Sequence, residues 1–161
     1  MRALTLTQPW ATLVAIGAKT IETRSWGTDH SGPIAIHAAK GFPREARDVC
    51  QIAPFAEVLK AGGVGAIGDL PLGVVVAVAH LHTCFRFTEE TERWLRSRSA
   101  HQRLPAHEVD FGDYTPGRYG FKFVRVQALA KPLACRGMLS LWHVPLEIER
   151  AIAEQLDGVP A

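Results

Sequence analysis

The chain has 161 residues and a formal net charge of +2, with 47% hydrophobic and 21% charged residues. This balance is ordinary for one globular domain, and it excludes a disordered chain and a low-complexity one. A charge of +2 is only mildly basic, so charge alone assigns no nucleic-acid partner.

The three cysteines, Cys50, Cys84 and Cys135, are odd in number and far apart. This spacing predicts reduced thiols rather than a disulfide framework, as expected in the cytoplasm. The N-terminal residues lack the apolar run of a signal peptide, and the longest apolar stretch, 74–79, is too short to cross a bilayer. We therefore expect a cytoplasmic protein without membrane association, and no motif indicates a cofactor.

The first elements are predicted from capping and spacing. Residues 3–7 alternate as a short strand, and Thr7 is predicted to cap a helix that has Pro9 in its first turn. Gly17 is predicted to end this helix. The elements expected next are strands at 20–26 and 33–39, a helical stretch at 43–59 split by Pro54, a glycine-rich loop at 61–68, a strand at 72–85, a helix at 88–98 that Thr88 caps, an irregular segment at 99–118, strands at 119–129 and 139–144, and a helix at 145–156.

These elements predict an α+β fold. About six strands alternate irregularly with helices, which does not suit a regular array of parallel βαβ units. We expect a small mixed β-barrel with helices packed around it, formed by residues 1–161 as a single domain.

Charged residues are concentrated in the segment 17–26 (GAKTIETRSW). If its strand begins at Thr20, alternation places Glu22, Arg24 and Trp26 on one face, with Lys19 at the corner between helix and strand. Ionised side chains are costly to bury unpaired, so this face is expected to open on a cleft. A structural ion pair on a solvated face explains the same pattern.

Five stretches of the sequence resemble the ASCH family of PUA-like domains. They are 8–13 (QPWATL), 17–26 with its pattern GxKxxExR, 32–40 (GPIAIHAAK), 112–119 (GDYTPGRY) and 137–142 (GMLSLW). The resemblance extends from about residue 4 to residue 145. It implies a PUA-like β-barrel whose charged cleft includes the GxKxxExR segment and binds RNA, single-stranded nucleic acid or a modified nucleoside.

The resemblance also implies a hydrolase alternative, because some similar proteins are amidohydrolases on N4-acetylcytidine and others are nucleases. The amidohydrolases use a lysine, a threonine three positions later and a glutamate from a downstream strand. Lys19 matches the lysine, whereas Glu22 stands at the threonine position and His80 near that of the glutamate. A different catalytic arrangement would use Glu22 as a general base and Lys19 or Arg24 to stabilise an oxyanion.

Three further residues are candidates for nucleic-acid binding. Tyr114 and Arg118 flank a Pro-Gly turn and are predicted to stack on a base and to hold a phosphate. Lys40 follows a strand and is predicted to add positive charge to the cleft. With the segment described above, the predicted binding set is Lys19, Glu22, Arg24, Trp26, Lys40, Tyr114 and Arg118.

Metal binding is considered at one place. His80, His82 and Cys84 alternate along one strand and have side chains that bind zinc. Alternate strand residues are nearly 7 Å apart, which suits two ligands better than three, so no metal site is predicted. The sequence predicts no oligomeric state.

Overall fold

The computed structural model describes residues 1–100 and 104–157, without the side chains of 98–100 and 157. This part of the chain forms six strands and five α-helices. The strands are β1 (Arg2–Leu6), β2 (Ile21–Arg24), β3 (Gly32–Ala38), β4 (Val74–Arg86), β5 (Tyr119–Ala134) and β6 (Leu141–His143). The helices are α1 (Trp10–Ala15), α2 (Arg44–Val49), α3 (Phe55–Ala61), α4 (Glu89–Ala100) and α5 (Leu146–Asp157).

All six strands belong to one sheet, in the order β2-β5-β4-β3-β1-β6. Only β1 and β3 pair in parallel; the other neighbours are antiparallel. Three strands separate β2 from β1, yet the Arg24 guanidinium on β2 donates to the backbone oxygen of Thr5 on β1, with Nη2 and O 2.6 Å apart. The sheet is therefore curled into a half-barrel, and the predicted α+β fold is confirmed.

Alternation along β1 and β3 assigns the two faces of the sheet to different layers. Leu4 and Ile36 face inward and pack with Val14 of α1 in one cluster. Ala3 and Ala35 face outward and pack with Ile152 of α5 in another. Alternate side chains of these strands are therefore apolar on both faces of the sheet, and each face is covered by a helix.

The start of α1 differs from the predicted one. Thr7 does not cap the helix; Pro9 occupies the N-cap position without a side-chain hydrogen bond. The buried Gln8 replaces it, because its Oε1 accepts from the backbone nitrogen of Thr12 at 3.1 Å. The predicted division of the next helical stretch at Pro54 is confirmed by α2 and α3.

Strand β5 extends five residues past its predicted end at residue 129. Pro132 would normally interrupt a strand because it has no N–H for the ladder. Here β5 contains a large bulge, in which residues 129–132 lie opposite the single residue Val76 of β4. The bulge accommodates the proline, and pairing resumes at Leu133 with Val75.

Residues 104–118 pack under β2 rather than extending into solvent. They contain a short 3₁₀ helix at Glu108–Asp110, and Tyr114 packs in a buried cluster with Ile21 of β2. This packing supplies the side chains that lie beneath the predicted cleft. Across the described residues, no helix has the length and apolar composition needed to span a membrane.

Candidate functional site

Two adjoining cavities open beside β2. The arginine cavity, of 340 Å³, is lined by Thr5, Thr7, Trp10, Glu22, Thr23, Arg24, Ser25, Trp26 and Arg118. The aromatic cavity, of 400 Å³, is lined by Trp10, Glu22, Thr23, Val49, Phe55, Asp110, Phe111, Gly112 and Asp113. Because both include Trp10, Glu22 and Thr23, they form one cleft, with Glu22 at the junction.

Glu22 is held by charges on both sides. Its Oε1 lies 3.2 Å from Nε of Arg24, and its Oε2 lies 3.9 Å from Nζ of Lys19. The Glu22 side chain is only 12% exposed. The carboxylate is therefore oriented before any ligand arrives and can accept hydrogen bonds from one.

Arg24 lines the arginine cavity and also fixes its width. One end of its guanidinium donates to the Thr5 carbonyl, and Nε lies beside Glu22 but is not aligned for a hydrogen bond. Since the Arg24 side chain is 26% exposed, part of the guanidinium remains available to an anion.

Lys19 lies below the cleft and lines neither of its cavities. It is fully buried, and its Nζ donates to the backbone oxygen of Ile21 at 2.6 Å and to the hydroxyl of Tyr114 at 3.3 Å. Burial lowers the pKa of Lys19, and the nearby carboxylates of Glu22 and Glu108 partly oppose this effect. The structure thus gives Lys19 a supporting position, in contrast to the direct ligand contact predicted from the sequence.

Tyr114 is also a support rather than an exposed stacking platform. Only 4% of the residue is exposed, and its hydroxyl lies 2.8 Å from Oε1 of Glu108. Burial, followed by the charge of Glu108, raises the pKa of Tyr114, so the phenol stays protonated and donates to that carboxylate. The aromatic ring predicted to stack on a base is covered.

Glu108 is a residue of this region that no sequence pattern indicated. It is fully buried, and its carboxylate accepts from the backbone nitrogens of Thr20 and Ile21, at 2.7 and 3.1 Å, and from the Thr20 hydroxyl at 2.7 Å. It thereby satisfies the backbone where β2 begins. No local motif around Glu108 indicates this role, because its partners are 87 and 88 residues away in the chain.

Trp26 and Arg118 both line the arginine cavity. The Trp26 ring packs edge-on against Phe121, with centroids 5.1 Å apart. Arg118 donates to the Asp113 backbone oxygen at 3.1 Å and lies 3.3 Å from the Asp113 carboxylate. The structure therefore brings Glu22, Arg24, Trp26 and Arg118 together around one cavity.

The aromatic cavity contains residues that the sequence did not single out for binding. Phe55 packs edge-on against both Trp10 and Phe111, at centroid distances of 6.0 and 4.8 Å. Asp110 and Asp113 add carboxylates to the wall. This end of the cleft is aromatic and acidic, which suits a flat group that donates hydrogen bonds.

Lys40 lies apart from this cleft. It lines a third cavity of 830 Å³, called the His37 cavity here, whose wall consists of Thr5, His37, Ala39, Lys40, Leu72, Gly73, Ala134, Cys135, Arg136, Gly137, Met138 and Leu139. Only Thr5 is common to the His37 cavity and the arginine cavity. Of the predicted cations, Arg24 and Arg118 therefore line the cleft, Lys40 lines the His37 cavity, and Lys19 lines neither.

His80, His82 and Cys84 do not form a metal centre with their neighbours. Within the described ranges, no three side chains of the His, Cys, Asp and Glu types come together in a way that could hold a metal ion. Burial raises the pKa of Cys84, which makes its thiolate, the form that binds metals, harder to produce.

Comparison with protein families identifies one match. The family model of the ASCH domain matches residues 4–128. This range contains most of β1, all of β2 to β4 and most of β5, and every residue that lines the cleft lies within it.

Two curated relatives match half of this chain. Activating signal cointegrator 1 from Mus musculus is 33% identical over 81 residues, and the Homo sapiens protein is 35% identical over 83 residues. In each case the match covers 50% of this chain and 14% of the relative. The chain thus corresponds to a small part of those proteins.

Solved structures show the same fold. The crystal structure of ASCH from Zymomonas mobilis matches with a TM-score of 0.54 and 16% identity, covering 95% of this chain and 93% of that one. Two mutant proteins of the same ASCH, one with a tyrosine changed to phenylalanine and one with a serine changed to alanine, match with the same TM-score and 15% identity. Each match covers 95% of this chain, and 96% and 94% of the respective mutant chains.

Proposed function

The chain belongs to the ASCH domain family, which generally binds RNA, and from this premise we propose that its cleft binds one nucleotide of an RNA or a modified nucleoside. The single observation that carries the proposal is the position of Glu22. Its carboxylate stands where an aromatic, acidic cavity meets a cationic one.

The base occupies the aromatic cavity in this proposal. Trp10 and Phe55 supply an apolar, aromatic surface, and Glu22 accepts from an exocyclic amine. Flat bases bind to proteins by contact with aromatic rings together with hydrogen bonds to their edges. The negative charges of Asp110 and Asp113 disfavour a phosphate at this end of the cleft.

The phosphate occupies the arginine cavity. Arg24 and Arg118 line it and are 26% and 32% exposed, so both retain free donors. An arginine guanidinium suits phosphate because its donors form a planar fork. A nucleotide spanning the two cavities thus finds acceptors for its base and donors for its phosphate.

The position of Lys19 supports binding over hydrolysis. A hydrolase using Glu22 as base needs a donor aimed at the developing oxyanion. Lys19 and Arg24 were the candidates for this role. The Lys19 Nζ is buried and already bonded to Ile21 and Tyr114, and Arg24 already donates to the Thr5 carbonyl. Binding therefore needs fewer rearrangements than catalysis.

The test is a titration of the protein with short single-stranded RNAs of one base each, followed by chromatography of the mixtures. We expect oligocytidine to bind more tightly than oligouridine, because uracil presents a carbonyl where cytosine presents an amine. Glu22→Gln should reduce this preference by about 10- to 100-fold, the discrimination of a good base contact. Absence of binding to every RNA and nucleoside would contradict the proposal.

The matched control is Glu57→Gln. Glu57 is exposed on α3, so this substitution removes the same negative charge outside the cleft. It should leave the base preference unchanged. Cleavage or deacylation products that disappear in Glu22→Gln would instead show a hydrolase.

A further inference from the structure

We propose that the His37 cavity binds the next nucleotide of the strand whose neighbouring nucleotide occupies the cleft. The inference rests on the proposed function and narrows its ligand from a lone nucleoside to a single-stranded RNA. Thr5 provides the connection, because its backbone oxygen accepts from Arg24 and its hydroxyl donates to the Met138 oxygen at 3.1 Å. Thr5 therefore lies between the arginine cavity and the His37 cavity.

The His37 cavity is positively charged. Lys40 and Arg136 are exposed on its wall, and neither side chain forms an ion pair or a hydrogen bond with any described residue. No carboxylate is among the described lining residues. Two unpaired cations around a concave surface of 830 Å³ favour a phosphate group.

His37 supports the wall of the cavity from below. It is 1% exposed, and its Nε2 lies 2.9 Å from the Cys135 carbonyl, which can only accept, so Nε2 carries the proton. Burial lowers the pKa of His37, which keeps the ring neutral. Its Nδ1 is consequently a bare acceptor, and it is buried without a partner among the described residues.

Gly137 covers Nδ1, so a ligand contacts the exposed groups of this wall and not the imidazole. Met138 and Leu139, which are 54% and 92% exposed at the rim, provide apolar surface for the face of the base.

Hydrogen bonds fix the wall of the His37 cavity to the strands beneath it. The His37 ring donates to the Cys135 carbonyl, the Thr5 hydroxyl donates to the Met138 carbonyl, and the Trp142 indole donates to the Thr5 hydroxyl at 3.0 Å. Gly137 lies against the imidazole, where a Cβ would come within 2.6 Å of Nδ1. The cavity is therefore formed before a ligand binds, which reduces the entropic cost of binding.

The experiment compares a cytidine mononucleotide with a cytidine hexanucleotide, in the wild type and in the double variant Lys40→Gln/Arg136→Gln. We expect the variant to lose about 10-fold or more in hexanucleotide affinity at about 0.15 M salt and to bind the mononucleotide as before. Its slope of log affinity against log salt should fall by about 0.7, since the two cations favour one phosphate group and each phosphate contact on a single strand contributes about 0.7. Arg47→Gln/Lys60→Gln, which removes two exposed cations on α2 and α3, is the matched control and should retain wild-type hexanucleotide affinity.

An unchanged hexanucleotide affinity in the double variant would overturn the inference. So would equal binding of mononucleotide and hexanucleotide by the wild type, which would leave the cleft as a nucleoside site. If neither ligand binds to the wild type, the proposed function itself fails, and direct binding of an acidic peptide would then assign the cations to a protein partner.

Discussion

Lys19 and Glu22 belong to the same charged motif, but their side chains have different surroundings. Glu22 lines both cavities of the cleft, whereas Lys19 is buried beneath them and bonds to the backbone. Alternation along the strand placed Glu22, Arg24 and Trp26 on one face from sequence alone. The burial of Lys19 was not predictable in this way, because it depends on Tyr114 and Glu108 from a segment distant in the chain.

Glu108 is the residue for which we predict the largest loss of stability. Glu108→Gln replaces one acceptor oxygen with an NH₂ group that faces existing donors, including the backbone nitrogens of Thr20 and Ile21. The free energy of unfolding should fall by about 2–4 kcal/mol, as for other broken buried networks. Urea denaturation measures it, with Glu154→Gln on the exposed face of α5 as control. A loss no greater than that of the control would show that the donors find other partners.

The lowered pKa of His37 makes the free energy of unfolding depend on pH. Its pKa in the folded protein is below the ordinary value of 6.5, so below pH 6.5 the unfolded chain binds a proton that the folded chain does not. Stability from this residue is therefore complete above pH 6.5 and decreases as the pH falls, by at most about 1.4 kcal/mol per pH unit. His37→Gln should lose less free energy of unfolding than the wild type between about pH 7.5 and 5.5. The exposed His143→Gln is the control, and an identical pH dependence in wild type and His37→Gln would contradict the assignment.

At the scale of elements, all six strands were predicted, because each has a run of alternating or β-branched residues. Their ends were less predictable: β2 is shorter than expected and β5 is longer, since its bulge accommodates Pro132. The position of residues 104–118 under β2 was also not predictable, because tertiary bonds rather than local pattern hold them there. The sequence likewise did not predict that the segment between β5 and β6 lines a cavity, because most of the other lining residues are distant in the chain.

The segment from Cys135 to Leu139 gives a prediction at this scale. Gly137 lies so close to His37 and Thr5 that a Cβ would be 2.6 Å from Nδ1 and 2.9 Å from the Thr5 hydroxyl. Gly137→Ala should therefore displace the segment and reduce the free energy of unfolding by about 1–3 kcal/mol, the usual cost of overpacking.

Gly41→Ala is the matched control, because a Cβ there has no neighbour within 4 Å. Thermal or urea unfolding of the two variants measures the difference. Equal stability of the two would mean that the segment moves freely away from β1 and β3.

For the whole molecule, the curl of the sheet predicts discrimination between single and double strands. The hydrogen bond from Arg24 to Thr5 joins two strands that three others separate in the sheet, which limits how far the cleft opens. A base that must enter the aromatic cavity has to be unpaired, as in most sequence-specific RNA recognition.

We therefore expect a single-stranded RNA to bind at least about 10-fold more tightly than a duplex of the same sequence. Titration of both at equal salt, followed by fluorescence polarisation, measures this ratio. Equal affinities would show that the protein contacts only the outer backbone of the RNA.

The pairing of β1 with β6 has a consequence for synthesis on the ribosome. Thr5 and Trp142, which share a hydrogen bond, are 137 residues apart. Strand β1 therefore gains β3 early and keeps its other edge unpaired until β6 has emerged. Contacts between such distant residues slow folding, and open strand edges invite aggregation. Nascent chains that stop before β6 should therefore depend on chaperones, and the His37 cavity should be among the last parts of the protein to form.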